Sequence, residues 1–242
     1  MKRPLLLLAG LVCAGSAGAA AVKVVRNSPA LQFTYAFPAE AAAIPALKRR
    51  FEVQMARDFR KALKLGLENQ KVYKQQKREG ARDFYAMEWS TAGQTPRLLS
   101  LQNEISTFTG GAHPNTGYGA LLWDRRSNGA ISVESLFLRS GAFAAQTRIR
   151  YCAGLEAERK KRRGRETMDL PDFNQCPKPS DLAVSPLDTN HNGRFDSFAF
   201  VASPYTAGPY AEGEYDIQVP VSSQMINAIK PEFRNAFERH RQ

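Results

Sequence analysis

One histidine stands in a loop whose residue types could bind a ligand. His113 lies between the glycine pair Gly110 and Gly111 on one side and Pro114 and Asn115 on the other. Glycines let the backbone come close to a ligand, and an imidazole can donate, accept or titrate near neutral pH. The segment therefore predicts one of two things. Either His113 and the exposed backbone amides contact a ligand, or His113 locks a sharp turn by hydrogen-bonding the backbone.

A second polar loop has the spacing of a calcium site. Oxygen-bearing side chains fall at its relative positions 1, 3, 5 and 9, with glycine at position 6, as in EF-hand loops. These four residues are Asp188, Asn190, Asn192 and Asp196. Only two of them are acids, and Ala199 occupies the position of the bidentate glutamate. The loop predicts either weak calcium binding or a turn held by hydrogen bonds from side chains to the backbone. No other cofactor is predicted.

Catalytic residues do not form a recognisable pattern. The chain has three histidines, none spaced as a metal-ligand pair: His113, His191 and His240. No segment resembles a nucleophile elbow. We therefore expect a binding domain that is not an enzyme. The alternative is a hydrolase that uses His113 and Asp124.

Two charged segments are candidates for function, one for acid/base chemistry and the other for partner contacts. The carboxylates of Glu212, Glu214 and Asp216 could act as acids or bases, but acids exposed on strands are usually solvated. The cationic run 159–163 either docks on an anionic envelope surface, such as lipid phosphates, or forms a solvated helix end. No aromatic residue is interleaved with it, so nucleic acid is not a predicted partner.

The amino-terminal residues predict export. Two cations precede an apolar stretch over residues 5–12, and small residues follow up to Ala19, the pattern that signal peptidase reads. This stretch is too short to span a bilayer. We expect residues 1–20 to be a signal peptide, the mature chain to be periplasmic or secreted, and no transmembrane segment to remain. A lipid anchor on Cys13 is the alternative.

The composition of the mature chain restricts its partners. About 220 residues remain after the signal, which suits a single domain over residues 21–242. The net charge of +11 becomes +9 without the two signal cations, which favours anionic partners. Cys152 and Cys176 then remain, and in an oxidising compartment they predict one disulfide, with two unpaired thiols as the alternative.

Apolar periodicity predicts both strands and helices. Alternating apolar positions or turn signals mark strands at 31–37, 84–89, 97–108, 120–124, 130–133, 195–202 and 214–219. Asn128-Gly129 predicts a tight hairpin turn between two of them. Apolar residues four apart predict a long helix that begins near Pro45, and a second helix is predicted over 142–161. Residues 165–186 read as a surface loop, and Ser222 and Pro231 open two short C-terminal helices.

Two segments, 108–117 and 204–213, carry a family resemblance. Together with the early strand and the long helix they resemble the RsiV-like extracytoplasmic domain, found in lysozyme-sensing anti-sigma factors and at the N-terminus of PdaC-type peptidoglycan deacetylases. The resemblance implies an α+β fold with a mixed or antiparallel sheet, on which the long N-terminal helix and the C-terminal helices pack. It also implies recognition of peptidoglycan or of a wall-acting protein such as a lysozyme. The candidate ligand-binding residues are Gly110, Gly111, His113, Asn115, Tyr205 and Tyr210.

The expected function is therefore that of an exported, non-catalytic binding domain. A cell-wall-modifying hydrolase and a basic structural envelope factor are the alternatives. A charge of +9 opposes a strongly basic lysozyme as the partner unless the charges are locally segregated.

Overall fold

The computed structural model describes residues 19–78, 80–164 and 170–240. The predicted signal peptide, with Cys13, lies outside these ranges except for Ala19 and Ala20. Across the described ranges, none of the helices combines the length and apolar character needed to cross a membrane.

Nine strands and five α-helices make up the described chain. The strands are β1 Val22–Asn27, β2 Leu31–Phe37, β3 Asp83–Gln94, β4 Leu98–Phe108, β5 Asn115–Asp124, β6 Gly129–Ile131, β7 Ala183–Leu187, β8 Ser197–Ala202 and β9 Tyr215–Pro220. The helices are α1 Ala39–Ala42, α2 Pro45–Gln75, α3 Ala142–Arg163, α4 Ser223–Ala228 and α5 Pro231–Arg234. Short 3₁₀ turns lie at Glu134–Leu136, Pro171–Phe173, Pro179–Asp181 and Tyr210–Glu212.

Two sheets form the centre of the fold. Strands β1 to β6 lie in sequence order in the first sheet, and every pair is antiparallel except β2–β3. That pair is parallel because α2 crosses over between the two strands. Strands β7, β8 and β9 form a second, antiparallel sheet. The predicted mixed α+β fold is confirmed.

The layers follow from which side chains each face buries. Phe33 and Tyr35 of β2 pack with Leu47 and Phe51 of α2 on one face of the first sheet. The other face contacts the second sheet through a small cluster that includes Ala199. The far side of the second sheet packs against α3 and the C-terminal helices. This last cluster includes Phe198, Phe200, Tyr151, Met225 and Phe233.

The apolar face of α2 turns away from the core along the helix. Leu47 is fully buried, whereas Leu67 is 50% exposed, although the sequence pattern places both on one face. An α-helix has 3.6 residues per turn, so apolar residues spaced by four drift around it, by about 200° between these two leucines. Gly66 takes the inward position instead, because a Cβ there would lie 2.6 Å from the carbonyl oxygen of Ala30.

Three local predictions are wrong in detail. The hairpin after β5 has four loop residues, 125–128, with positive φ at Asn128 alone, so Gly129 already begins β6. The loop predicted over 165–186 ends earlier than expected, because β7 begins at Ala183. Pro186, which has no backbone N–H to donate, is tolerated in β7 because this strand lies at the edge of its sheet. The apolar pattern after Pro231 predicts a helix that includes Phe237, but the helix ends at Arg234 and Phe237 is buried beyond it. The predicted N-cap is confirmed, since Ser222 Oγ accepts a hydrogen bond from the Met225 amide.

Candidate functional site

Three of the predicted ligand-binding side chains meet at the surface. The His113 ring stacks on the Tyr210 ring with 3.6 Å between centroids and 16° between planes. The Tyr205 ring lies 5.8 Å from that of Tyr210. His113 Nδ1 is 2.9 Å from the Pro114 carbonyl oxygen, which can only accept, so Nδ1 carries the proton. His113 Nε2 faces the Tyr205 hydroxyl at 3.5 Å.

The hydrogen bond of His113 to the backbone fits the turn interpretation, and ligand contact by His113 stays a prediction. The bond to Pro114 closes the turn on the backbone, while the ring also takes part in a cluster that reaches solvent. Gly110 and Gly111 have φ of 95° and 107°, a region that favours glycine, and together they let the chain reverse before His113. Asn115 opens β5 opposite Thr107 and is exposed. It belongs to the same loop end but makes no ring contact.

Tyr205 is presented outwards by a strained backbone. It is 56% exposed, and its φ of 69° is unusual for a residue other than glycine. The turn is maintained by hydrogen bonds from the Tyr205 amide to Gly208 O and from the Thr206 amide to Ser203 O. Such strain costs about 1–3 kcal/mol and is typical of functional positions.

The arginines at the end of α3 hold this loop. Arg159 is 3% exposed and donates twice to the Ala207 carbonyl and once to that of Gln175. Arg162 donates to the carbonyls of Glu212 and Glu214, and Arg163 forms a two-point ion pair with the Glu212 carboxylate. This bond to Arg163 and a second one from Tyr215 keep the pKa of Glu212 below its ordinary range, although burial opposes the shift. Three cations of the predicted surface-docking run therefore contact other parts of the protein, and Arg159 is buried while Arg162 stays exposed.

A cleft of about 650 Å³ lies between the free face of β3–β4 and the edge of the second sheet. Its aromatic and amide lining includes Phe84, Gln102 and Tyr118, and its acids are Glu88, Glu104, Glu214 and Asp216. The acids are all exposed. No lysine or arginine is among its lining residues in the part of the chain that the structure describes. The cleft is therefore acidic although the chain is strongly basic.

The cleft and the aromatic cluster lie at the same end of the molecule. Tyr118 lines the cleft, and its amide donates to Ser203 Oγ at 3.0 Å, two residues before Tyr205. Removal from bulk water raises the pKa of Tyr118, and the nearby Glu214 and Glu104 raise it further. Asp216 reaches solvent at the edge of the cleft, yet partial burial there raises its pKa, with a further contribution from Glu214.

The Asp188 loop adopts the turn alternative. The Asp188 carboxylate accepts hydrogen bonds from the amides of Asn192 and Gly193, at 3.1 and 2.8 Å. Asn190 Oδ1 also accepts from the Asn192 amide. The Asp196 carboxylate accepts hydrogen bonds from the Thr189 amide and hydroxyl and from Nδ1 of His240. The described residues contain no group of three or more His, Cys, Asp or Glu side chains arranged for a metal ion. Calcium binding stays a prediction.

The two residues of the hydrolase alternative lie far apart. His113 precedes β5 and Asp124 ends it, which separates them by about 30 Å at the usual rise per residue. Asp124 is buried and accepts from Arg97, from the Arg126 amide and from Ser127. These bonds lower its pKa although burial opposes the shift. Asp124 anchors a turn and cannot serve His113.

The predicted disulfide is present. Cys152 of α3 and Cys176 are bonded, with 5.6 Å between their Cα atoms. The bond ties the loop after α3 back to the helix, next to the Gln175 carbonyl that Arg159 contacts.

Comparison with known proteins agrees with this architecture. Residues 24–116, from β1 into β5, match the family model described as deacetylase PdaC. Among solved structures, a DUF3298 family protein from Pseudomonas aeruginosa PAO1 has a TM-score of 0.54 at 17% identity, covering 92% of this chain and 98% of that one. The chain shares the DUF3298 fold. A second member, from Bacteroides fragilis, has a TM-score of 0.57 at 15% identity and covers 89% and 95%. No curated protein matches the sequence.

These matches support the coarser part of the predicted resemblance. They show a match to the PdaC family model over residues 24–116 and the fold of two DUF3298 family structures. The specific RsiV-like assignment stays a prediction.

The cleft was not predicted from the sequence. Its acids come from β3, β4, β9 and the residue just before β9, and they share no motif. The available signal was the second face of β3, where Phe84, Ala86, Glu88 and Ser90 alternate with the core residues.

Proposed function

We propose that the mature chain is an exported, non-catalytic binding domain whose acidic cleft recognises a basic wall-acting protein such as a lysozyme. The observation that carries the proposal is the lining of the cleft, where four carboxylates stand without a lysine or arginine. Among the described residues, Lys23 lies 3.5 Å from the Glu88 carboxylate, and Arg162 contacts the backbone carbonyl of Glu214 and not its carboxylate. Segregated charge answers the objection that a chain of +9 should repel a basic partner.

Calorimetric titration with a basic lysozyme tests this proposal. Glu104→Gln combined with Asp216→Asn removes two cleft charges without changing size. We expect Kd to rise about fivefold, because each exposed carboxylate should contribute ~0.5 kcal/mol to the free energy of binding. Glu68→Gln with Glu232→Gln removes two exposed acids elsewhere and should leave Kd within twofold. Absence of lysozyme binding at low salt, or an equal loss in both double variants, would refute the proposal.

A second candidate partner, the wall polymer itself, is favoured by the aromatic cluster. The stacked pair His113–Tyr210 and the exposed Tyr205 ring offer apolar faces beside hydroxyl and imidazole groups, which suits the faces and hydroxyls of a sugar. Co-sedimentation with purified peptidoglycan in high salt separates sugar binding by the aromatic cluster from charge attraction, because salt screens the charges. Tyr205→Ala should lose pelleting, whereas Leu138→Ala, which truncates another exposed apolar side chain, should keep it. Equal pelleting of both variants contradicts a role for the cluster.

A further inference from the structure

The outward face of α2 carries a continuous row of cations. We define the α2 stripe as seven exposed residues spaced three or four apart, which places them on one face of the helix: Arg49, Val53, Arg57, Arg60, Lys64, Leu67 and Lys71. Five of the seven are cations and none is an acid. Within the described ranges, Arg57 is the one stripe cation with an ion pair, which it forms with its neighbour Asp58. The stripe is about 33 Å long at 1.5 Å per residue.

We propose that the α2 stripe docks this protein on a membrane surface rich in anionic phospholipid. A straight helical row of cations matches a flat layer of phosphate groups, and each cation near such a surface adds to the attraction. The proposal does not depend on the partner of the cleft.

Apolar residues within the stripe favour lipid over a soluble polyanion. Val53 is 63% exposed and Leu67 is 50% exposed, and both lie between cations. A polyanion needs only the charges, whereas apolar side chains beside cations are typical of helices that lie in the head-group region. The drift of the apolar residues around α2 is what brings Leu67 to this face.

The layered fold gives such docking a consequence for orientation. Helix α2 covers one face of the first sheet, and the acidic cleft opens on the other face. A membrane that holds the α2 stripe therefore leaves the cleft facing away, so the repelling acids are remote from the lipid phosphates.

Vesicle co-sedimentation tests the inference. The full mature chain should bind vesicles of phosphatidylcholine mixed with phosphatidylglycerol, and should stay in the supernatant with phosphatidylcholine alone. Lys64→Glu with Lys71→Glu should lower the partition coefficient by about 30-fold or more, at about fivefold per cation removed. Arg139→Glu with Arg148→Glu changes the net charge equally at exposed positions outside α2, and should change binding less than threefold.

A second pair of variants separates lipid from other anions. Val53→Ser with Leu67→Ser keeps every charge and should weaken vesicle binding severalfold. All exchanged side chains are exposed, so melting curves should match that of the wild type. Three results would overturn the inference: no binding to the anionic vesicles at low salt, an equal loss in the stripe and control charge variants, or full binding by the serine variant.

Discussion

Reduction of the Cys152–Cys176 disulfide should lower the stability of the protein by a calculable amount. The bond joins residues 24 apart in sequence. In the chain-entropy treatment, closing a loop of that length removes about 12 cal/mol/K from the unfolded state, or about 3.5 kcal/mol at 25 °C. For a domain of about 220 residues, with ~2.1 cal/mol/K of unfolding entropy per residue, this lowers Tm by roughly 8 °C.

The disulfide is also connected to the candidate site. Arg159 donates both to Gln175, the neighbour of Cys176, and to Ala207 in the loop that carries Tyr205 and Tyr210. Opening the bond frees the segment around Gln175 and removes one of the fixed acceptors of this buried guanidinium. We therefore expect the reduced protein to lose binding at the site before it unfolds.

Thermal unfolding by circular dichroism, with and without a reductant, measures the effect. The double variant Cys152→Ser, Cys176→Ser should melt near the reduced wild type and should not respond to the reductant. Thiol titration verifies that reduction is complete. An unchanged Tm after full reduction, or an equal reductant effect on the serine variant, would refute the reasoning.

Two further predictions concern carboxylates. Glu212→Gln should lower Tm at pH 7. Because contact with Arg163 lowers the folded pKa of Glu212 from 4.5, its stabilisation is complete above pH 4.5 and is lost as pH falls through the lowered value. The Tm difference from wild type should therefore shrink on acidification, and a constant difference would contradict this origin. Asp188→Asn weakens the bonds to the amides of Asn192 and Gly193 and should lower Tm equally in EDTA and in millimolar calcium. A calcium-dependent rise of Tm in the wild type alone would instead support a metal loop.

The sequence by itself determined the elements whose signals are local. Alternation over 31–37 gave β2 with its observed bounds, and Ser222 acts as the predicted cap. The pairing of Cys152 with Cys176 was one of the two outcomes predicted for the cysteines beyond the predicted signal peptide, and it is the one found. The candidate residues His113, Tyr205 and Tyr210 lie together, and their role in ligand binding stays a prediction.

Only the tertiary structure decided which side chains of these elements are exposed and which other elements the buried ones contact. Residues spaced by four looked equivalent along α2, but the helical period rotated Leu67 outwards among cations. The run 159–163 looked like a free basic surface, yet Arg159 was buried against carbonyl groups of two loops. The acidic cleft was invisible because Glu88 and Asp216 become neighbours only when the second sheet packs on the first. Long-range packing sets such contacts, and no local periodicity encodes them.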